Sequence, residues 1–352
     1  MTDLYRRNVE LIPENQAPTG AYLASPNFPP YRYCWFRDGS YTAYAMDLAG
    51  QLDSAACFHD WATQAILRRA DVVERAIAKT GRHELLDEAD ILHTRYTVER
   101  EAVDGEAWPN FQLDGFGTWL WVLGEHVRRV GRQPATMWRE AASLASRYLA
   151  ALWRGPCYDC WEEFPESVHT YSLAAIYGGL RAHQELWDGN HQEALEAIGA
   201  FLREGAVRDG RFVKSTGTEE VDGSLLGLAI PYRVVEPRHP LMVATVEEIE
   251  RKLRDGGGVH RYRADTFYGG GEWILLTAWL AWYRLELGEQ DRAGELIAWV
   301  ENQSDEAGQL PEQVPASLNA PSFFEPWRRR WGKIAKPLLW SHASYIIARH
   351  GS

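Results

Sequence analysis

The sequence predicts an all-α fold in which helices follow one another in pairs. Apolar residues recur every three to four positions through most of the chain, and strand-like alternation is scarce. Segment 273–282 is apolar nearly all round, which is typical of a helix buried on every side, whereas segment 289–303 is apolar on one face only. A buried helix joined by a short turn to an amphipathic helix forms an inner and outer pair. About a dozen helices in such pairs predict a closed ring, an α/α barrel.

Each helix is predicted from the same spacing. Phe116, Leu120 and Leu123 fall on one helical face, for example, and Gly131 ends that helix. No linker rich in proline, glycine or serine divides the chain, so we predict one domain over residues 1–352. The predicted helices are 2–14, 38–50, 52–79, 114–131, 134–153, 167–187, 189–204, 220–229, 239–254, 270–287, 289–303 and 336–350.

Long loops separate the predicted helices at alternate junctions, so they are expected to converge on one mouth of the barrel. Loops longer than about 12–15 residues in a compact domain are usually functional. These loops also carry most of the unusual residue combinations of the chain. They are 15–36, 80–113, 154–166, 255–269 and 304–335.

Composition narrows the class of protein. The 352 residues carry a net charge of −12, and 45% of them are hydrophobic, which excludes a disordered chain and gives no basic footprint for nucleic acid or an anionic membrane. No apolar signal-peptide core follows the first residues, so a cytoplasmic location and a small-molecule partner are expected. The 16 tryptophans suit the stacking of sugar rings, although some folds use tryptophan simply to fill a core.

Two loops carry carboxylates that suit glycoside hydrolysis, which needs one group to protonate the leaving oxygen and a second to act on water or on the sugar. Glu162 and Glu163 follow Trp161, whose ring is expected to raise the pKa of the neighbouring acid by desolvation. Glu312 lies in a second loop. Glutamates in loops are more often solvated surface residues, and this alternative stays open from the pattern alone.

A third cluster combines Trp35 with Arg37 and Asp38. The functional interpretation is a donor and an acceptor that hold sugar hydroxyls at the closed end of a pocket. The structural interpretation is a salt bridge at a helix start, with Asp38 as the N-cap. Cys157 and Cys160 lack two further ligands for zinc, so reduced thiols are expected and neither a metal nor a cofactor is predicted.

Six motifs, in order and spanning essentially the whole chain, resemble those of the glucoamylase family, glycoside hydrolase family 15. The resemblance implies an (α/α)6 barrel, which agrees with the helix pairs. The motifs are YRYCWFRD at 31–38, WPNFQLDG at 108–115, YDCWEE at 158–163, the segment 261–273 with its R-Y-x-x-D-x-x-Y-x-x-x-x-W pattern, LPEQ at 310–313 and PLLWSH at 337–342.

The resemblance implies a role for each motif residue. Glu162 would be the general acid and Glu312 the general base of an inverting hydrolase that removes one glucose at a time, with the two carboxyl groups about 6.5–9.5 Å apart. Tyr31 would contact the attacking water. The residues implied to bind the sugar are Trp35, Arg37, Asp38, Trp108, Gln112, Trp161, Glu163, Arg261 and Trp273.

The resemblance leaves the substrate open. We expect no N-terminal β-domain and no starch-binding module, which favours short oligosaccharides, isomaltose first and malto-oligosaccharides next. Trehalase activity and an inactive sugar-binding protein remain alternatives. A metal-dependent cyclase on a similar barrel is disfavoured because its ligand set is missing. Residues 323–331 match no family motif and are expected to shape the acceptor side, while the oligomeric state is not predicted.

Overall fold

The computed structural model describes residues 3–103, 107–131, 133–187 and 189–351. Helices dominate these ranges, and the strands are all two residues long. The α-helices are α1 (Asp3–Glu14), α2 (Phe36–Leu48), α3 (Leu52–Leu67), α4 (Ala70–Gly81), α5 (Asp114–Val130), α6 (Thr136–Leu152), α7 (Thr170–Trp187), α8 (Gln192–Gly205), α9 (Pro240–Leu253), α10 (Ile274–Glu286), α11 (Gln290–Glu301), α12 (Phe324–Trp331) and α13 (Leu339–His350). The strands are β1 (Cys34–Trp35), β2 (Arg95–Tyr96), β3 (Val207–Arg208), β4 (Arg211–Phe212), β5 (Val259–His260), β6 (Glu272–Trp273) and β7 (Gln313–Val314).

Six inner elements form a ring. In order around the ring they are α2, α5, α7, the 3₁₀ helix Gly223–Leu228, α10 and α13, each packed on the next, and α13 packs back against α2. Most of their residues are buried, because both faces of each inner element contact protein. An outer helix precedes each inner element in the chain: α1, α3 with α4, α6, α8, α9 and α11. The predicted barrel of inner and outer helices is confirmed.

Several predicted elements differ in the structure. The helix predicted over 52–79 is two helices, because the backbone leaves helical geometry at Arg69. The helix predicted over 220–229 is the 3₁₀ helix of the inner ring. The helix predicted to begin at 270 begins at Ile274, because Gly270 lies at φ +68° and β6 follows it. The loop predicted over 304–335 contains α12.

Short antiparallel pairings hold the loops at the N-terminal ends of the inner helices. Trp35 of β1 faces Arg95 of β2, directly before α2 begins. Trp273 of β6 pairs with both Val259 of β5 and Gln313 of β7, directly before α10 begins. These pairings therefore bring the loops together at one mouth of the barrel.

A layer of buried aromatic residues fills the barrel below this mouth. The hydroxyl groups of Tyr41, Tyr171 and Tyr232 form a triangle with oxygen separations of 3.1–3.2 Å. Trp279 stacks on Tyr171, and all four side chains are almost completely buried. The space above this layer is thus closed at its base. Within the described part of the chain, no helix is both long and apolar enough to span a lipid bilayer.

Candidate active site

A cavity of about 740 Å³ opens at the N-terminal ends of the inner helices. It is lined mainly by aromatic rings, with carboxylates and arginines between them. Eleven of the twelve predicted site residues line it: Tyr31, Trp35, Arg37, Asp38, Trp108, Trp161, Glu162, Glu163, Arg261, Trp273 and Glu312. The twelfth, Gln112, lies behind Glu162 and donates a hydrogen bond to it.

Glu162 sits in a tight turn that Asp159 organises. The Asp159 carboxylate accepts hydrogen bonds of 2.9 Å from the backbone amides of Trp161 and Glu163, and its carbonyl accepts one from the amide of Glu162. Glu162 has φ +69°, in the left-handed region that a residue with a Cβ rarely adopts. Such a conformation persists where the surroundings over-determine it, and it marks functional sites.

Two donors meet on one oxygen of the Glu162 carboxyl group. The Trp35 indole Nε1 donates to Oε1 over 2.7 Å, and the Gln112 amide Nε2 donates to the same oxygen over 3.2 Å. An indole nitrogen can only donate, so Oε1 must be an acceptor. When Glu162 is protonated, its proton therefore resides on the other oxygen, Oε2.

Arg37 fixes the orientation of the Gln112 amide. Its Nη1 donates to Gln112 Oε1 over 2.8 Å and to Asp114 Oδ2 over 3.1 Å. The Thr94 hydroxyl also donates to Gln112 Oε1, over 3.1 Å. With two donors on that oxygen, the amide nitrogen must face Glu162. Arg37 thus acts on Glu162 through Gln112, in addition to lining the cavity.

Asp38 lies at the closed end of the cavity. It occupies the first turn of α2 and is not the predicted N-cap, a position taken by Trp35. Burial raises the pKa of Asp38 to about 6, while the Arg37 guanidinium acts in the opposite direction. Its Oδ2 has no hydrogen-bond partner among the described residues, and neither has the buried indole nitrogen of Trp340 nearby. Asp38 Oδ2 lies 3.6 Å from Nε of Arg37, so the two side chains form a charged pair at this end of the cavity.

Glu312 stands directly before β7 and is 3% exposed. Its Oε1 accepts a hydrogen bond of 3.1 Å from the Tyr31 hydroxyl, whereas its buried Oε2 has no partner in the described ranges. Burial raises the pKa of Glu312 to about 8, because a carboxylate loses hydration there, while the Tyr31 hydrogen bond and the Arg261 charge lower it.

Aromatic rings connect the surroundings of the two carboxyl groups. The Tyr31 ring meets the Trp35 ring edge to face at 5.5 Å, and Trp35 meets Trp108 at 5.9 Å. The guanidinium of Arg95 lies 3.7 Å from the centre of the Trp108 ring, on the side of the β1–β2 pairing. No motif predicted Arg95, because its role depends on a strand pairing between distant segments.

Glu163 faces a different group of residues from Glu162. Its Oε2 accepts a hydrogen bond of 2.6 Å from the Tyr262 hydroxyl, and its Oε1 lies 3.6 Å from Nη2 of Arg261. Asp265 also binds the Arg261 guanidinium through both carboxylate oxygens. The two adjacent glutamates therefore contact different groups.

Lys214 and Asp222 support the Glu162 turn from below, and sequence reasoning missed both. Lys214 Nζ lies 2.7 Å from Asp222 Oδ2 and 3.0 Å from Asp159 Oδ2, in a buried ion-pair network. The Asp222 carboxylate accepts the indole hydrogen bond of Trp161. Lys214 and Asp222 are 8 residues apart, but Asp222 is 61 residues from Trp161, so no short motif connects the pair to the Glu162 turn.

The family model of glycosyl hydrolases family 15 matches residues 2–303. An isomaltose glucohydrolase of Kribbella flavida is 39% identical over 98% of this chain and 91% of its own length. A glycosidase solved in complex with glucose superposes with a TM-score of 0.94 at 38% identity, covering 99% of this chain and 96% of that chain. Trehalase 2 of Sulfolobus acidocaldarius is 26% identical over 87% of this chain and 58% of its own length. The chain therefore belongs to glycosyl hydrolase family 15 and is a glucoside hydrolase.

Proposed function

We propose that the protein is an inverting, exo-acting α-glucosidase that releases β-D-glucose from the non-reducing end of isomaltose and short isomalto-oligosaccharides. One observation carries this proposal. Two carboxyl groups face one cavity that is closed at its base: Glu162, with two donors on one oxygen, and the more deeply buried Glu312, with one.

Glu162 is assigned as the general acid. The donors from Trp35 and Gln112 occupy Oε1, which leaves Oε2 to carry the proton. In the reaction this proton passes to the glycosidic oxygen as the bond between that oxygen and the anomeric carbon breaks. The leaving sugar then departs as a neutral alcohol.

Glu312 is assigned as the general base. Tyr31 holds Oε1, and the carboxylate lies in the cavity wall, where it is assigned to take a proton from water. The water oxygen bonds to the anomeric carbon on the face opposite the leaving group, which inverts an α-glucoside to β-glucose. Because the base must be ionised, kcat/KM is expected to fall as the pH falls through the raised pKa of Glu312.

The closed base of the cavity supports exo action. Arg37, Asp38 and Trp340 occupy the closed end, directly above the stacked ring of Tyr41. This arrangement suits the hydroxyl groups of one terminal glucose and gives no exit for a continuing chain.

The preference for α-1,6 linkages rests on the Kribbella flavida relative, named as an isomaltose glucohydrolase. The second candidate substrate is trehalose, because the Sulfolobus acidocaldarius relative is named a trehalase. A protein that only binds sugar would have no need of two carboxyl groups placed for acid and base work, so this alternative is disfavoured.

The test mixes purified protein with isomaltose, maltose, nigerose or trehalose and follows the glucose anomers by proton NMR in the first minutes. We expect early β-glucose, fastest from isomaltose. The leaving glucose adds its own anomers, an α/β mixture from the three reducing disaccharides and α-glucose from trehalose. Only early α-glucose in excess of this share would contradict the inverting mechanism and the role of Glu312. Faster release from trehalose or maltose would overturn the linkage preference alone, and no glucose from any of the four would contradict the proposed activity.

A further inference from the structure

A second cluster of chemically active side chains lies in the barrel wall, outside the cavity. Asp47 is in the last turn of α2, His59 is in the middle of α3, and His126 is in the second half of α5. Asp47 is 11 residues beyond Phe36, where α2 begins beside the cavity, so it lies roughly 16 Å further along the helix axis at about 1.5 Å per residue. The cluster is therefore separate from the catalytic groups.

The three side chains converge on one point. Asp47 Oδ1 lies 2.7 Å from His126 Nδ1, and one ligand atom from each of the three residues lies within 4.8 Å of the others. All three residues are buried; Asp47 is 1% and His59 0% exposed.

The cluster contains more acceptors than the described protein atoms satisfy. Asp47 Oδ2 and both ring nitrogens of His59 are buried without a hydrogen-bond partner in the described ranges. Such groups are rare in folded proteins and call for an explanation, such as an ion or a water molecule. A neutral imidazole always presents one unprotonated nitrogen, so His59 offers a lone pair to a cation.

The surroundings favour a dehydrated ion with nitrogen ligands. The Trp138 ring packs over both imidazoles at 5.6 and 5.5 Å, and its indole donates to Asp60 over 2.7 Å. The Trp138 ring therefore closes this side of the cluster.

We propose that Asp47, His59 and His126 bind one Zn²⁺ ion, with a water molecule or the second oxygen of Asp47 as the fourth ligand. Two imidazoles and one carboxylate match the nitrogen and oxygen ligands of zinc, whereas magnesium and calcium prefer oxygen alone. Tetrahedral zinc with bonds of about 2.0–2.2 Å places its ligand atoms roughly 3.3–3.6 Å apart. The widest atom pair, at most 4.8 Å apart, must therefore close, and Asp47 Oδ1 and His126 Nδ1 must give up their 2.7 Å hydrogen bond and separate, both by side-chain rotation as the ion binds.

The proposed ion has a structural role. It joins two inner helices, α2 and α5, to the outer helix α3, and it touches none of the residues that line the cavity. The three ligands lie on different helices, so no short metal-binding motif appears in the sequence and none was predicted.

The test uses the full chain, stripped of metal with a chelator, incubated with Zn²⁺ alone and passed through gel filtration. We expect one zinc per chain by elemental analysis and a higher Tm than that of the stripped protein. Co²⁺ in place of Zn²⁺ should give the visible absorption of a four- or five-coordinate site. His59→Ala should weaken zinc binding at least tenfold, whereas the control His191→Ala, at a buried pair with His183, should not change it.

The proposal is overturned by substoichiometric zinc in the wild-type chain, or by equal zinc content and Tm in the wild type and His59→Ala. A water molecule as the occupant would give the first of these results. If His59→Ala fails to fold, Asp47→Asn removes the anionic ligand with little change of shape and is read in the same way. Glucose release is measured in parallel; its kcat should not change on zinc removal, so the two proposals fail independently.

Discussion

The carboxyl groups of Glu162 and Glu312 differ in their exposure and in the number of hydrogen bonds that they accept. Glu162 has an 18% exposed side chain and two donors on one oxygen, held in place by Arg37 and the Asp159 turn. Glu312 is almost completely buried and has one hydrogen bond, from Tyr31. Several polar contacts hold the Glu162 carboxyl group, whereas the Glu312 carboxyl group has one polar contact and little exposure.

The difference teaches that the two halves of an acid–base reaction place opposite demands on a site. A general acid needs its proton at one known atom, and donors fixed on the other oxygen provide that. A general base gains driving force for proton transfer when its pKa is raised, and burial provides that at the expense of stability. The following substitutions test each half of this comparison.

The largest effect is expected for Glu312→Gln, which should lower kcat by ~10²–10⁴-fold or more because no group is left to take a proton from the water.

The amide of Glu312→Gln should also raise the Tm at pH 9 relative to the wild type, and less so at pH 6. Between pH of about 4.5 and about 8 the folded protein keeps a proton that the unfolded chain has lost, so stability falls as pH rises through this window. Thermal melts at both pH values measure this, and an equal or lower Tm at pH 9 would contradict the burial argument.

Glu162→Gln should also lower kcat for isomaltose by ~10²–10⁴-fold, with little change in sugar binding, because the amide oxygen can accept both donors. Glucosyl fluoride needs no proton on its leaving group, so this variant should lose much less activity on it. Glu312→Gln should lose activity on both substrates. Equal losses of Glu162→Gln on isomaltose and the fluoride would argue against its role as the acid.

Trp35→Phe removes the shortest hydrogen bond to Glu162 while keeping an aromatic ring. We expect kcat to fall roughly tenfold to a hundredfold, the usual value of a hydrogen bond to a charged group. Trp108→Phe is the matched control, because the buried Nε1 of Trp108 has no hydrogen-bond partner in the described part of the chain. Steady-state kinetics on isomaltose should give the smaller loss for the control; equal losses would mean that ring packing, and not the donor, matters.

The smallest effect is expected for Tyr31→Phe. The Tyr31 hydroxyl lowers the pKa of Glu312, so its removal should raise that pKa and move the acid limb of kcat/KM to higher pH. The rate should fall by about tenfold at low pH and recover on the alkaline side. A uniform loss at every pH would show that Tyr31 acts elsewhere in the reaction.

The inner helices could be predicted from the sequence because burial leaves a local periodic pattern, as in 273–282. The same pattern cannot reveal the break at Arg69 or the short α12, since both depend on what packs against them. The long loops were located from the sequence, except that 304–335 contains α12. Their strand pairings, such as Trp35 with Arg95, join segments that are far apart in the chain.

In the site, the motifs identified residues that line the cavity, but they did not identify the residues that hold those side chains in place. Lys214 and Asp222 belong to no motif, and they meet the Glu162 turn only in the folded chain. Gln112 was predicted to bind the sugar, yet it contacts Glu162 from behind the cavity wall. Its motif identified it without indicating which partner its amide faces.

The tyrosine triangle below the cavity has a consequence for the order of events after bond cleavage. Tyr41, Tyr171 and Tyr232 close the base, so under the proposed exo action released glucose leaves only through the entrance, where the other half of the substrate lies. The leaving sugar must therefore diffuse away before glucose does. On this proposal an oligosaccharide is cut once per binding event and must bind again for each glucose, and free glucose competes with new substrate for the closed end of the cavity.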